Sequence, residues 1–141
     1  MNTPKSIEVS IEVEGGSFVK RRPDGSVDFF SPFPSPFAYG SVVGSLAPDG
    51  DPEDALVIGS RPSRGSRVRL PVWGQVLFWD AGVEDHKWVV ALEPPTEREW
   101  IRIERFFWCY ALTKRALYAV RRVSGGVVFE GVQRYPVSSG Y

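Results

Sequence analysis

The sequence has only one cysteine, Cys109, and only one histidine, His86, among its 141 residues. A single cysteine forms no intramolecular disulfide. A zinc site built from cysteine and histidine needs several such ligands, so this class of site is excluded. A metal held by this chain would have to be bound by oxygen atoms, which favours magnesium, manganese or calcium.

An excess of charge of one sign is also missing. Seventeen Lys and Arg residues balance seventeen Asp and Glu residues, so the formal net charge at pH 7 is zero. Nucleic-acid-binding domains usually carry a basic excess, and the composition therefore disfavours a nucleic-acid partner. No nucleic-acid partner is predicted.

Long apolar runs are absent as well. No segment approaches the roughly 20 apolar residues that span a bilayer, and residues 1–16 lack the apolar core of a signal peptide. We expect a cytoplasmic protein with no membrane partner. The length is that of one domain, and residues 1–141 are interpreted as such.

Short strands separated by turn residues dominate the pattern. Residues 7–13 alternate between apolar and polar, which is typical of a half-buried strand. Further strands are predicted at 18–22, 27–30, 67–79 and 87–92, with an apolar run at 55–58. Residues 31–47 are predicted to form an ordered loop packed by Phe33, Phe37 and Tyr39. A last hairpin is predicted around Gly125-Gly126, between residues 117–123 and 127–132.

One helix is predicted after Pro94-Pro95. Thr96 and Glu99 have the spacing of a capping box, and apolar residues recur at helical spacing after them, at Trp100, Ile103, Phe107 and Tyr110. The helix is predicted to cover about Thr96 to Lys114. Several strands and one good helix indicate a mainly β (α+β) fold, a small closed β-barrel with this helix packed against it.

Three aspartates crowd the segment APDGDPEDALV: Asp49, Asp51 and Asp54, with Glu53 beside them. Neighbouring carboxylates repel one another, so such crowding costs stability unless a cation neutralises it. Taken alone, the segment is better explained as an ordinary solvated Asp-Gly turn.

A second acidic cluster, Asp80, Glu84 and Asp85, lies at the turn of a later hairpin. Lys87 follows Asp85 by two residues and can therefore point the same way on a strand. If both acidic turns met at one mouth of the barrel, they would form a site for several metal ions.

The order of these motifs resembles the soluble family I inorganic pyrophosphatases. That family has a Tyr-Gly element and then Asp-Gly-Asp-Pro-x-Asp before an apolar run, as in Tyr39-Gly40 and Asp49 to Ile58. Its later Asp-x-x-x-x-Asp-x-Lys element matches Asp80, Asp85 and Lys87. Its early glutamate and lysine match Glu12 and Lys20, and the aromatic residues of its helix match Phe106, Phe107 and Tyr110.

The resemblance implies a five-stranded OB-like barrel and a magnesium-dependent hydrolase, with manganese as an alternative metal. The implied reaction converts inorganic pyrophosphate, the expected partner, to two orthophosphates by a metal-activated water, with Asp51 as general base. The implied metal ligands are Asp49, Asp54, Asp80, Asp85 and Glu12. The implied substrate-binding residues are Lys20, Tyr39, Lys87 and Tyr110. A homo-oligomer is compatible with the resemblance.

Several positions depart from the family pattern. Arg22 replaces a glutamate, Phe29-Phe30 stands where a phosphate-binding arginine is expected, and Ala111 replaces a lysine. The proposed metal ligands are thus retained while the phosphate clamp has fewer cations. Arg21, Arg22 and Lys114 are candidates to compensate, although the sequence does not place them.

The departures leave two alternatives open. One is a non-catalytic pyrophosphatase-like module that binds metal or phosphate. The other is a hydrolase of a larger phosphoanhydride, for which the small side chains of Ser35 and Ala81 would provide room.

Overall fold

The computed structural model describes residues 6–14, 19–21, 27–30, 36–48, 50–122 and 125–136, and for 19–21 and 27–30 it describes the backbone alone. The first four strands are β1 (Ser6–Val13), β2 (Val19–Arg21), β3 (Val27–Phe30) and β4 (Ala38–Val42). They are followed by β5 (Asp54–Ile58), β6 (Arg67–Asp80), β7 (Val83–Glu84) and β8 (Lys87–Ala91). The helix α1 (Glu97–Arg121) and the strand β9 (Val127–Arg134) complete the described elements.

Five strands close into a barrel in the order β1-β4-β5-β8-β6, and the pairing of β6 with β1 closes it. Four of the five pairings are antiparallel, and only β5 and β8 run parallel. This confirms the predicted five-stranded closed barrel with one helix packed against it.

The long strand β6 pairs with four other strands, β1, β7, β8 and β9. Its first part, residues 67–71, pairs with β1, and residues 72–76 pair with β8. Residues 74–80 also pair with β9, and Trp79 and Asp80 pair with β7. The strands β2 and β3 form a separate two-stranded sheet.

Both faces of β5 are buried, which explains its uninterrupted apolar run. Ala55 and Val57 belong to a core cluster with residues of β1, β4, β6 and β8, inside the barrel. Leu56 and Ile58 belong to a second core between the barrel and α1. Because side chains alternate along a strand, the side chain of Asp54 lies on the helix-facing side with Leu56.

The start of α1 is set by the predicted capping box. The Thr96 hydroxyl accepts from the Glu99 backbone N–H at 3.2 Å, and the Glu99 carboxylate accepts from the Thr96 N–H at 2.9 Å. One face of the helix is buried at helical spacing, by Trp100, Ile103, Phe107 and Ala111.

Two sequence predictions are corrected here. The helix does not end near Lys114 but continues to Arg121, so residues 117–121 are not a strand and the predicted last hairpin is wrong. Residues 127–134 pair with β6 instead. The β-favouring residues of this stretch stay helical because Tyr118 packs on the core and its hydroxyl donates to Asp80.

The segment 31–47 is also not a continuous loop, since it contains β4. Phe37 is buried and Tyr39 is partly buried, as predicted for packing residues. Phe33 lies outside the described residues.

We expect Gly40→Ala to destabilise the barrel strongly. A Cβ at this position would lie 2.1 Å from the carbonyl oxygen of Ser10, in backbone that cannot move aside. We expect the free energy of unfolding to fall by about 2 kcal/mol or more in urea titrations. Gly126→Ala is the control, because nothing lies within 4 Å of its Cβ position, and a similar loss in both variants would contradict the steric argument.

Candidate active site

The centre of the site is set by two parallel strands in register. Asp54 begins β5 and Lys87 begins β8, and the two residues are direct partners in the pairing. Their side chains therefore leave the sheet side by side on the face covered by α1. The Lys87 Nζ donates to Asp54 Oδ2 at 3.0 Å.

Lys87 also contacts the second predicted acidic turn. Its Nζ lies 2.7 Å from Asp85 Oδ2, so one ammonium group bridges Asp54 and Asp85. Lys87 is only 2% exposed. Burial alone would lower the pKa of Lys87, but the two carboxylates outweigh burial and raise it. The buried ammonium group is therefore charged at neutral pH.

Tyr39 and Tyr110 are the aromatic neighbours of this ion pair. The Lys87 Nζ lies 6.0 Å from the centre of the Tyr39 ring. Burial, and then the charges of Asp54 and Asp85, raise the pKa of Tyr39 well above its usual value. The Tyr39 hydroxyl consequently keeps its proton and can donate a hydrogen bond. The Tyr110 ring packs on Phe78 with centroids 5.6 Å apart.

Glu12 lies on the neighbouring strand β1. Its Oε1 accepts a hydrogen bond from Ser41 Oγ at 2.7 Å, and Ser41 is the pairing partner of Asp54. The carboxylate of Glu12 is therefore connected to the site through Ser41, which the sequence did not single out.

Asp80 forms a separate group with two residues of α1. The Lys114 Nζ donates to Asp80 Oδ2 at 2.5 Å, and the Tyr118 hydroxyl donates to Asp80 Oδ1 at 2.6 Å. Burial alone would raise the pKa of Asp80, but these two hydrogen bonds outweigh it and lower the pKa.

Tyr118 was missed by the sequence interpretation, and Lys114 could not be placed by it. The available signal was their spacing, because residues 110, 114 and 118 recur every four positions and so share one helix face. Because the helix was predicted to end at Lys114, Tyr118 was not placed on that helix face.

The remaining predicted residues are placed less fully. Asp51 is exposed in the turn before β5, and its backbone oxygen accepts from the Ala47 N–H at 2.7 Å. Asp49 and the side chain of Lys20 lie outside the described residues. The structure thus brings Asp54, Asp85, Lys87 and Tyr39 together, with Tyr110 and the Asp80 group beside them.

The donor chemistry at Asp54 and Asp85 fits a hard divalent cation. Two carboxylates converge on one cationic point, and magnesium is typically bound by one or two carboxylates together with substrate phosphates. Within the part of the chain that the structure describes, no group of three or more His, Cys, Asp or Glu residues is arranged to hold a metal.

We expect Lys87→Gln to destabilise the metal-free protein. Glutamine removes the positive charge and leaves Asp54 and Asp85 to repel each other in a mostly buried position. Breaking a buried ion pair of this kind costs roughly 3 kcal/mol or more, which urea unfolding in a chelator would measure.

Arg105→Gln serves as the matched control, since Arg105 is an exposed cation of α1. It should change the free energy of unfolding by less than about 0.5 kcal/mol. A loss at Lys87 no larger than the loss at Arg105 would show that the bridge is not a structural contact.

Residues 3–118 match the inorganic pyrophosphatase family. The chain is similar to the inorganic pyrophosphatase of Halalkalibacterium halodurans, with 39% identity over 102 residues, covering 67% of this chain and 61% of the relative. It is also similar to that of Geobacillus stearothermophilus, with 37% identity over 109 residues, covering 71% and 66%. The chain thus spans about three fifths of the first relative's length.

Solved structures show the same fold. The inorganic pyrophosphatase of Thermus thermophilus superposes with a TM-score of 0.71 at 25% identity, covering 95% of this chain and 85% of that one. The inorganic pyrophosphatase of Coxiella burnetii gives a TM-score of 0.71 at 21% identity, covering 94% and 88%, which is a likeness of fold. No described helix is long and apolar enough to cross a membrane. The family match extends over most of the barrel and the helix, and the chain belongs to the inorganic pyrophosphatase family.

Proposed function

We propose that this protein hydrolyses inorganic pyrophosphate to two orthophosphates with the help of a divalent metal ion. The observation that carries the proposal is the bridge of Lys87 between Asp54 and Asp85. It joins the two acidic motifs that carry the family resemblance at one buried point, and it places carboxylates suited to a metal beside a cation suited to a phosphate.

Three side chains are suited to bind phosphate oxygens. Lys87 is charged and held in place by two carboxylates, and Tyr39 keeps its hydroxyl proton. Tyr110 lies on the helix face above them, with Lys20 as the fourth predicted partner. Cationic and hydroxyl donors fixed before the reaction stabilise the charge that develops on a leaving phosphate.

Asp54 and Asp85 would hold the metal, with Asp49 and Glu12 as the further ligands that the sequence predicts. We propose magnesium, with manganese as a substitute, because all of these donors are oxygen atoms. When bound, the metal supplies charge neutralisation for the phosphates and lowers the pKa of water.

Asp51 is the proposed general base. Its carboxylate accepts a proton from the water molecule that attacks one phosphorus atom, and the bond from that phosphorus to the bridging oxygen breaks. Asp51 is suited to this role because it precedes Asp54 by three residues and is exposed to solvent. A cytoplasmic location and a homo-oligomer remain predictions from the sequence.

We expect the purified protein to release orthophosphate from pyrophosphate when magnesium is added, and Asp51→Asn to lower kcat at least about 100-fold. General-base catalysis typically contributes this much or more. Phosphate release, followed colorimetrically together with a thermal unfolding curve, separates a loss of chemistry from a loss of folding.

Glu104→Gln is the control, because it removes an exposed carboxylate from α1. It should leave kcat unchanged. Binding of metal without any phosphate release would instead favour the non-catalytic module. Release from polyphosphate or nucleotides, but not from pyrophosphate, would favour a hydrolase of larger phosphoanhydrides.

A further inference from the structure

The contacts of Asp80 set it apart from the other predicted metal ligands. Lys114 and Tyr118 each donate to a different oxygen of its carboxylate, at 2.5 and 2.6 Å. The two donors come from successive turns of α1, so both hydrogen bonds reach the carboxylate from the same helix face. Both carboxylate oxygens therefore already have a hydrogen-bond donor.

The ion pair is sheltered from solvent. The side chains of Lys114 and Asp80 are only 15% and 18% exposed. The Lys114 Nζ also lies 5.3 Å from the centre of the Tyr110 ring and 5.8 Å from that of Tyr118. Charges held between aromatic rings and a partner are screened little by solvent, so the pair behaves as a fixed structural unit.

This unit adjoins the proposed active site. The Tyr110 ring connects the two groups, because its centre lies 5.3 Å from the Lys114 Nζ and 5.6 Å from the centre of the Phe78 ring. The Lys87 Nζ lies 5.5 Å from the centre of that same Phe78 ring. Lys114 also lies three residues after Ala111, which stands where the family pattern has a lysine. Residues three apart lie on the same side of a helix.

We propose that Lys114 is a built-in cation of the active site, which takes the place of a metal ion at Asp80. Asp80 is then a positioning residue that holds Lys114, together with Tyr118, and is not a metal ligand. The inference rests on the proposed function for the location of the active site, and it reassigns one of the predicted ligands.

The number of bound metal ions tests this assignment without measuring activity. Mn²⁺ alone would be titrated into the metal-free protein, and the free Mn²⁺ would be quantified by electron paramagnetic resonance. Asp80→Asn should bind the same number of ions as the wild type. Lys114→Gln should bind one additional ion, because it exposes the Asp80 carboxylate, and the double variant should return to the wild-type number.

Two further variants keep the experiment interpretable. Lys114→Arg retains the positive charge and should keep the wild-type number of ions. Arg105→Gln removes a charge from the same helix at an exposed position, and it should also bind the wild-type number of ions. Thermal unfolding with and without Mn²⁺ confirms that each variant folds, and only Lys114→Gln should gain extra stabilisation from the metal.

Loss of one bound ion in Asp80→Asn would overturn the proposal by showing that Asp80 is a ligand. A Lys114→Gln protein with the wild-type number of ions and the wild-type metal-dependent stabilisation would overturn it as well. Failure of the proposed hydrolysis would appear separately, as an absence of phosphate release by the wild type.

Discussion

The buried ammonium group of Lys87, held between Asp54 and Asp85, is the interaction on which the arrangement of the site depends. A charged lysine that is almost fully buried is stable only if opposite charges compensate its lost hydration. Here two carboxylates from different segments do so, at 3.0 and 2.7 Å. The segment before β5 and the turn before β8 are thereby fixed relative to each other.

The barrel provides this geometry through its single parallel pairing. In the parallel pair β5–β8 the amino ends of both strands lie at the same edge, so the residues that begin them become neighbours. An antiparallel pairing would have placed Asp54 and Lys87 at opposite ends. The helix α1 covers this face with aromatic residues, which excludes water and strengthens the electrostatic interactions beneath it.

The parts of the fold that followed from the sequence were those encoded locally. Alternating residues predicted β1, and Thr96 with Glu99 predicted the start of α1, because strand alternation and helix capping involve residues close in the chain. The end of α1 was not predictable in this way. Residues 117–121 mix good helix formers with the β-favouring Tyr118 and Val120, so local preference leaves both conformations open. The contact of Tyr118 with Asp80, 38 residues away, favours the helix and cannot be read from the local pattern.

The same distinction applies to the site. Motif order brought out Asp54, Asp85 and Lys87, whose relation the strand register then explained. Lys114 belongs to no recognised motif, and its role depends on a helix that continues past it. Asp80 was predicted as a metal ligand from motif order. The donors that engage its two oxygens lie on a distant element, so the sequence did not reveal them.

The charges of these two groups have a consequence for how the site binds metal. Asp54, Asp80 and Asp85 carry three negative charges, and Lys87 and Lys114 carry two positive ones, so this set of described residues retains one negative charge. Without Lys114 the same set would retain two negative charges.

Carboxylates that repel one another attract divalent cations more strongly when more of their charge is uncompensated. Lys114 therefore reduces the attraction of a divalent cation to Asp80. The attraction that remains is strongest at Asp54 and Asp85, beside the turn that carries Asp51. If the proposed function holds, a fixed ammonium group on one side and a metal on the other would face the two ends of a pyrophosphate anion. The bound substrate would then have a preferred direction relative to Asp51, the proposed general base.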